Sequence, residues 1–507
     1  MHGGDSFEKP TISSSKPWYA EMTRYHWFVF FVAALGWLFD CLDQALFVLA
    51  RPKAMEDLVK ETTALTGTDL AAKRALAGDI VTSIFILGWA TGGLFFGILG
   101  DRIGRAKTMM ITILLYSLFT GLSSLSVGVW DFAFYRFLTG LGVGGEFAVG
   151  IALVAEVLPD SARARALGLL QALSAVGNVS AAMINLGLGI AQEQGHVESP
   201  WRIMFLIGAL PALLAVVIRW KLKEPERWKQ VSHDGAAKKQ LGSYRELFSD
   251  PVLRKHALLG LVLGCSGIVG LWSVGFFTPD LIRQVQMKSV RAEVIADQLV
   301  EAGNDVDKVA AIKLAESHYV PDSNVQLEGA SLDARKTIDK VTSGRLTSWQ
   351  SYTYLAQNIG AALGMFGFGW LAQRIGRKPT FRIAFISAFF STAAVFWFLQ
   401  DMWQIFVLVP IMGFCQLSLF AGYAIYFPEL FPTRLRSTGI SFCYNVGRFV
   451  AALGPLGKSA LETMFAGVSA NSVDRLRYAG VTMCLVFLVG LLVLPFLPET
   501  RNKPLPE

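Results

Sequence analysis

The chain has 507 residues, of which 53% are hydrophobic and 17% charged, with a mean hydropathy of +0.45. A soluble chain of this length needs more charge to stay dispersed, and the charge present is gathered into short clusters between apolar runs, so a soluble globular protein is excluded. The net charge of +7 does not point to nucleic acid, because Lys and Arg concentrate in alternate short loops, as they do on the cytoplasmic side of membrane proteins.

In chain order, residues 1–25 are polar and read as a cytoplasmic tail. No cleavable signal peptide is visible, because the first apolar run is too long for one. Twelve apolar runs follow, each near the ~20 residues that cross a hydrocarbon core of roughly 30 Å. Spans 1–6 are placed at 26–50, 79–100, 108–126, 131–156, 164–190 and 201–219, and together make a first half over 26–219. A charged linker, 220–254, carries Lys221, Lys223, Arg227, Lys229, Lys238 and Lys239. Spans 7–12 are placed at 255–281, 347–372, 380–400, 403–427, 437–463 and 477–497, a second half over 255–497, and 498–507 form a short tail.

The basic clusters Arg102/Arg105/Lys107, Arg163/Arg165, the linker, Arg374/Arg377/Lys378 and Arg434/Arg436 occupy alternate loops. They predict that both termini and the linker face the cytoplasm of a bacterial inner membrane. Two long segments then face outward, about 51–78 and 283–346. Apolar residues Val294, Ile295, Leu299, Val306, Val309, Ala310 and Ile312 lie at loosely helical spacing in the second, which is either a set of helices over the external mouth or a solvated insertion. The five cysteines all fall inside spans, so no disulfide framework is expected. The six histidines avoid the middle of every span, which argues against a metal site or a histidine relay. Gly140-Leu141-Gly142-Val143-Gly144-Gly145 superficially matches a dinucleotide loop, but it lies inside an apolar helix with no preceding strand. Small residues there let helices approach closely, and Gly93/Gly97 and Gly360/Gly364 read the same way. With no nucleophile elbow, phosphate loop or zinc spacing, an enzyme is not expected, and neither is an organic or metal cofactor.

The chain is duplicated. Gly100-Asp101-Arg102-Ile103-Gly104-Arg105-Ala106-Lys107-Thr108 returns half a chain later as Ala372-Gln373-Arg374-Ile375-Gly376-Arg377-Lys378-Pro379-Thr380, with Gln373 where Asp101 stands. Glu156-Val157-Leu158-Pro159 with Arg163 returns at nearly the same offset as Glu429-Leu430-Phe431-Pro432 with Arg436. Two related six-helix halves are the architecture of a transporter.

Ionisable side chains inside spans are costly and carry the functional argument. Asp40, Asp43 and Gln44 share one face of span 1. Asp40 is about fourteen residues in, roughly 21 Å at 1.5 Å per residue. Span 4 runs the opposite way and brings Arg136 to a similar depth, so an acid–arginine pair is expected there, either as a proton switch or as a static pair. Glu146 lies near mid-membrane and reads equally as a titrating or substrate-facing acid and as a packed, hydrogen-bonded one. Arg448 sits near the midplane of span 11 with Tyr444 and Asn445 on its face, and its span has no acid to pair with. Its expected partner is an anionic ligand, the alternative being an acid such as Glu146. Tyr354, Gln357 and Asn358 of span 8, Gln171 of span 5 and Tyr423 of span 10 are the further polar residues expected to line a substrate cavity.

These residues resemble the major facilitator superfamily over nearly the whole chain. Gly97 to Arg105 resembles its Gly-x-x-x-Asp-Arg-x-Gly-Arg loop. Glu156…Arg163 and Glu429…Arg436 match the Glu-x6-Arg pairs of the sugar-porter-like branch. Pro225-Glu226-Arg227-Trp228 resembles the branch's segment after span 6, and Pro498-Glu499-Thr500-Arg501 the one after span 12. Asp40-Cys41-Leu42-Asp43 is similar to the Asp-x-x-Asp element of aromatic-acid and sialate/monocarboxylate proton symporters, although Cys41-Leu42 stands where a Gly-aromatic pair is usual.

The resemblance implies a twelve-helix all-α membrane fold of two pseudo-symmetric halves. It also implies a cytoplasmic gate built from Asp101, Arg102, Gly104, Arg105, Glu156, Arg163, Arg374, Gly376, Arg377, Glu429 and Arg436. Asp101 is expected to latch near Arg163 or Arg165, and the second latch to be weaker because Gln373 replaces the acid. The reading is a monomeric symporter that takes up a small organic anion, a carboxylate, with protons as coupling ion through Asp40, Asp43, Arg136 and Glu146. Alternatives are a proton-coupled sugar or polyol porter, a uniporter or exporter, and a non-transporting sensor. Span 7 offers only the hydroxyls Ser266, Ser273 and Thr278, which disfavours a sugar.

Overall fold

The computed structural model describes residues 18–60, 67–193, 196–197, 199–233, 241–274, 278–317, 327–453, 460–461, 463–469 and 471–506. Most of the N-terminal tail and residues 234–240 of the linker lie outside these. The described residues are helical, without a strand. Their burial pattern is inverted relative to a soluble protein. Phe95, Leu118, Phe134, Phe390 and Leu492 are exposed on the flanks, whereas Asp40, Asp43, Arg136 and Arg436 are fully buried. Helices with an apolar outside and charges inside satisfy every backbone group within lipid and keep costly charges from it.

Among the described residues nine helices are long and apolar enough to cross a membrane. The other predicted spans fall on helix that is broken, buried in a longer element or shorter than expected. Span 6 is two short helices, Pro200–Ile207 and Ala212–Lys221, separated at Pro211. Span 8 is the far end of a 47-residue helix, Gly329–Ile375. Span 11 is Arg436–Ala451, and residues 454–459 of its predicted range lie outside the described set. Span 7 is Pro251–Val269 followed by a π-helical turn, Gly270–Val274, which releases the Gly270 carbonyl to accept from Gln416 Nε2 at 3.1 Å.

Two expected loops are largely helix. Span 1 runs on through Pro52 to Leu58, and span 2 begins at Gly67. The described residues of the 283–346 segment are largely helical, one of the two readings its spacing allowed. Thr278–Ala302 and Val306–Ser317 pack on the first third of the 47-residue helix around Val290, Val294, Ile312, Ala315, Ile338 and Leu346.

The duplication is visible in the packing. In the first half a methyl on Gly88, Gly92 or Gly140 would fall well under 3.0 Å from the carbonyls of Phe137, Leu141 and Phe85 respectively. In the second half Gly360, Gly364 and Gly413 stand in the same relation to Pro410, Phe414 and Gln357, and every one of these residues is displaced from its first-half counterpart by one or other of the two near-equal offsets of the repeated motifs. Spans 2 and 4 therefore touch backbone to backbone just as spans 8 and 10 do. Gly93 and Gly97 do something else: they face Asn445 and Ser441 of span 11, across the two halves.

Candidate functional site

The repeated motif loops, the start of span 1, the linker and the C-terminal tail lie on one face, which we call the linker side. There the two halves are tied together. Asp101 accepts from the backbone N–H of Ser437 at 3.1 Å, from that of Thr438 at 2.8 Å and from Thr438 Oγ1 at 2.7 Å. It thereby satisfies the open N–H groups at the start of span 11, where a negative charge also meets the positive end of the helix dipole. Its latch is that helix end, and not Arg163 or Arg165 as expected. Arg163 instead pairs with Asp160 and donates to the Ala155 carbonyl at 2.9 Å. Glu156 bridges Arg105 at 3.0 Å and Arg436 of the other half at 2.7 Å, all three buried, while Arg105 reaches across to the Thr433 carbonyl at 2.6 Å.

The ion pair of the second-half copy stays within its half, and a single hydrogen bond from that copy crosses to the first. Arg377 pairs with Glu429 at 2.7 Å, and Glu429 takes a hydrogen bond from Thr500 at 2.5 Å. Gln373 makes a single bond to the Ser161 carbonyl at 3.2 Å, Arg374 lies over the Trp370 ring, and Arg102 donates to the Leu241 carbonyl of the linker at 3.2 Å.

Gly104 and Gly376 have φ of +110° and +101°, a region that glycine alone enters freely. Each brings its chain against a carboxylate: Glu224 accepts from the N–H groups of Ala106 and Lys107, and Glu499 from those of Arg377 and Lys378. Sequence reasoning missed Glu224. It singled out Glu226, in Pro225-Glu226-Arg227-Trp228, whereas Glu226 pairs only locally with Lys229. The repeat offset was the available signal, and it is too coarse, since it carries Glu226 onto Glu499 and misses Glu224 by two residues. Only the start of a helix waiting for a cap separates the two choices.

In the interior, Asp43 lies 3.3 Å from Arg136 and accepts from Thr120 Oγ1 at 2.6 Å. The guanidinium is walled by the rings of Phe47, Phe85 and Phe205 at 5.0–5.4 Å. Asp40, one turn away and fully buried, does not join this pair; Gln44 lies beside it, and neither of its oxygens has a partner at hydrogen-bond geometry among the described residues. The charges that bear on it are Glu146, Asp43 and Arg448. Glu146 accepts from Thr112 Oγ1 at 2.8 Å, and its other oxygen has no partner.

Arg448 is buried at the junction of the halves. It donates to the Tyr444 carbonyl at 3.0 Å and to Asn445 Oδ1 at 2.7 Å, and lies 3.9 Å from the centre of the Trp89 ring and 4.3 Å from that of Tyr444. Tyr444 in turn stacks on Phe147 of the first half at 3.8 Å. No carboxylate is ion-paired with Arg448 among the described residues, its Nε has no partner, and the acid whose charge reaches it is Asp40 rather than Glu146. The alternative of an Arg448–Glu146 pair is therefore not what the structure contains.

The other predicted lining residues divide. Asn358 receives a hydrogen bond from Asn178 across the halves at 2.7 Å and donates to the Tyr354 carbonyl at 2.8 Å. Gln171 is buried with Oε1 unpartnered, and Gln357 is half-buried. Tyr423 is a packing residue: its hydroxyl donates to the Leu263 carbonyl at 2.9 Å and its ring stacks on Phe427 at 5.2 Å. The sequence already set Tyr444 apart, since it lies four residues before Arg448, whereas span 10 carries no charge near Tyr423.

A family model for the Major Facilitator Superfamily matches residues 27–296 and 337–507. The chain belongs to this superfamily. Among curated relatives, the niacin transporter NiaP of Acinetobacter baylyi is 28% identical over 462 residues, covering 85% of this chain and 86% of that protein. The sialic acid transporter NanX of Escherichia coli is 24% identical over 486 residues, covering 93% and 96%. Among solved structures, the proton:xylose symporter XylE of E. coli, bound to 6-bromo-6-deoxy-D-glucose, aligns with a TM-score of 0.66 at 16% identity, over 95% of this chain and 98% of that one. At that identity the likeness shows the fold alone. As a member of the superfamily the protein is a multi-pass membrane transporter.

Proposed function

We propose that the protein takes up a small organic carboxylate together with protons by alternating access, with its linker side in the cytoplasm. Arg448 carries the reading. It is a permanent cation at the junction of the halves, against the rings of Trp89 and Tyr444, with one N–H unspent and, among the described residues, no paired acid. Its fork suits a carboxylate, and a neutral sugar does not require it. The niacin and sialic acid relatives support the same reading, because those two substrates differ in everything except a carboxylate. The proton enters through Asp43 and Asp40. A proton on Asp43 would cancel its attraction to Arg136, and Asp40, with no partner at hydrogen-bond geometry among the described residues, stands between that pair and Arg448. Substrate and proton would thereby meet through Asp40.

The test is thermal unfolding of the purified protein with nicotinate, benzoate, N-acetylneuraminate and xylose, since a ligand that binds the folded state raises its stability. A carboxylate should raise the midpoint in the wild type, less in Arg448→Lys and not at all in Arg448→Gln. A shift by xylose that survives Arg448→Gln would favour the sugar porter instead. In liposomes, Asp40→Asn and Asp43→Asn should exchange the bound carboxylate but fail to accumulate it on a pH gradient. Accumulation by both variants would remove the proton assignment.

A further inference from the structure

We infer that Glu146 is the station from which the coupling proton leaves for the cytoplasm, through a water-sized crevice beside Gly150. The inference rests on the proton reading above and adds its exit. Three observations carry it. Glu146 presses against span 1 at Gly36, where an added Cβ would collide with Oε1. Gly36 lies one turn below Asp40, about 6 Å along the axis. The absent side chain is what lets the two acids approach, and the charge of Glu146 reaches Asp40. Second, Oε1 of Glu146 is buried without a partner, and a carboxylate oxygen so placed needs a proton or a water.

Third, a crevice lined by Ala33, Trp37, Glu146, Phe147, Gly150 and Leu170 opens beside it, with room for a single water. A Cβ on Gly150 would meet nothing within 4 Å, although the residue is buried. Among the lining residues, Ala33 lies nearer than Asp40 to the linker-side end of span 1 at Arg24, and Gly150 nearer than Glu146 to that of span 4 at Val157. The crevice is thus on the far side of Glu146 from Asp43 and Arg136.

The titratable neighbours of Glu146 are Asp40 on span 1 and Tyr116 on span 3. Span 3 also supplies Thr112, span 2 the apolar Phe96 beside Gly145, and span 5 the apolar Leu170. In the step itself the Asp40 carboxyl gives its proton to the Glu146 carboxylate. Glu146 then gives it to the crevice water, which passes it to the bulk and leaves both acids ionised for the next cycle.

The test uses the full chain in lipid nanodiscs and follows the infrared stretch of protonated carboxyl groups as H2O is replaced by D2O. Glu146→Gln should remove one exchangeable band. Gly150→Val should keep that band and slow its shift to the deuterated position severalfold, because the added methyls fill the crevice. Gly187→Val, at a lipid-exposed glycine that also has no atom near its Cβ, is the control for a branched residue in a helix. If Gly150→Val folds poorly, Gly150→Ala should slow the exchange to a smaller degree. Exchange as fast as in the Gly187 control, or a band pattern untouched by Glu146→Gln, would overturn the inference. Either result combined with loss of pH-driven accumulation in Asp40→Asn overturns the exit alone. Retained accumulation in both Asp40→Asn and Asp43→Asn overturns the reading beneath it.

Discussion

By the repeat offset that carries Glu156 onto Glu429, Arg136 and Glu146 of the first half correspond to Val409 and Leu419 of the second, and Arg448 corresponds to Ala175. A glycine contact beside them is shared by both halves: Gly140 touches the Phe85 carbonyl and Gly413 that of Gln357. The duplication has kept the backbone contacts and let the charges diverge. Contact as close as that at Gly140 and Gly413 leaves no room for a larger side chain, so it is fixed by sterics, whereas a buried charge is expensive and survives only where it does something. The first half holds the buried acids Asp40, Asp43 and Glu146 with Arg136, and the second half holds Arg448, a cation at the junction with no acid paired to it among the described residues.

The sharpest way to break that comparison is to remove a charge and its apolar counterpart. Arg136→Leu leaves Asp43 buried and unpaired, which should cost about 3–5 kcal/mol. Val409→Ala should cost about 1.5 kcal/mol for the two carbons lost. Thermal unfolding in one detergent measures both. The Arg136→Leu, Asp43→Leu double variant should recover most of the loss while remaining unable to couple protons. Equal costs at the two positions would mean that Arg136 is not the buried half of an ion pair in solution.

The next comparison is between Glu156 and Glu429. Glu156 joins Arg105 to Arg436 of the other half, whereas Glu429 joins Arg377 and Thr500 of its own. Glu156→Gln should cost about 3 kcal/mol of the closed linker side and move the population towards the form open there, because the open form never had that contact. Glu429→Gln should lower the melting temperature with little change in population. Distances between spin labels at the linker-side ends of spans 2 and 11 separate the two outcomes. An unchanged distance distribution in Glu156→Gln would show that the cross-half knot does not hold the gate.

What was legible in the sequence follows from the same division. Spans, halves and the clustering of charge on span 1 and span 4 were readable, because apolar length and glycine spacing act within one helix. The pairing of Asp101 with the start of span 11, the capping role of Glu224 and the packing role of Tyr423 were not. Each depends on which helix end or face happens to lie opposite, and no periodicity within one helix encodes its neighbour. The Asp43–Arg136 contact was anticipated only because opposite charges at matching depth restrict the choice of partner.

Asp101 and Gln373 test the latch on a smaller scale. Asp101 accepts three hydrogen bonds from the start of span 11, and Gln373 makes one bond to Ser161. Asp101→Asn turns one acceptor into a donor facing a donor, so the closed form should lose about 2 kcal/mol. Gln373→Ala should lose about 0.5 kcal/mol, since its bond is exposed and neutral. The same spin-label distances report both, and a larger opening in Gln373→Ala would reverse the ranking of the two latches.

The smallest expected effect concerns the two carboxylates that cap the helices after the motif loops. Glu499 and Glu224 each accept from two backbone N–H groups at the start of a helix, at 3.0 Å and 3.1 Å respectively. Removing either charge by Glu→Gln should cost about 1 kcal/mol near neutral pH, the usual worth of a cap. Glu499 adds a pH dependence that can be signed. Burial pushes its carboxyl up, but the N–H groups of Arg377, Lys378, Arg501 and Thr500 outweigh this and hold it below the usual glutamate range. The stability it confers is therefore complete above the unfolded glutamate value, about 4.3, and is lost as pH falls through the lower folded value. Melting temperatures of the wild type and Glu499→Gln should differ at pH 7 and converge in acid below about pH 4. A gap that stays constant from pH 7 to pH 3 would mean that the capping contact depends on shape and not on charge. The pseudo-symmetry of the two caps would then be one of packing, like that of the glycines.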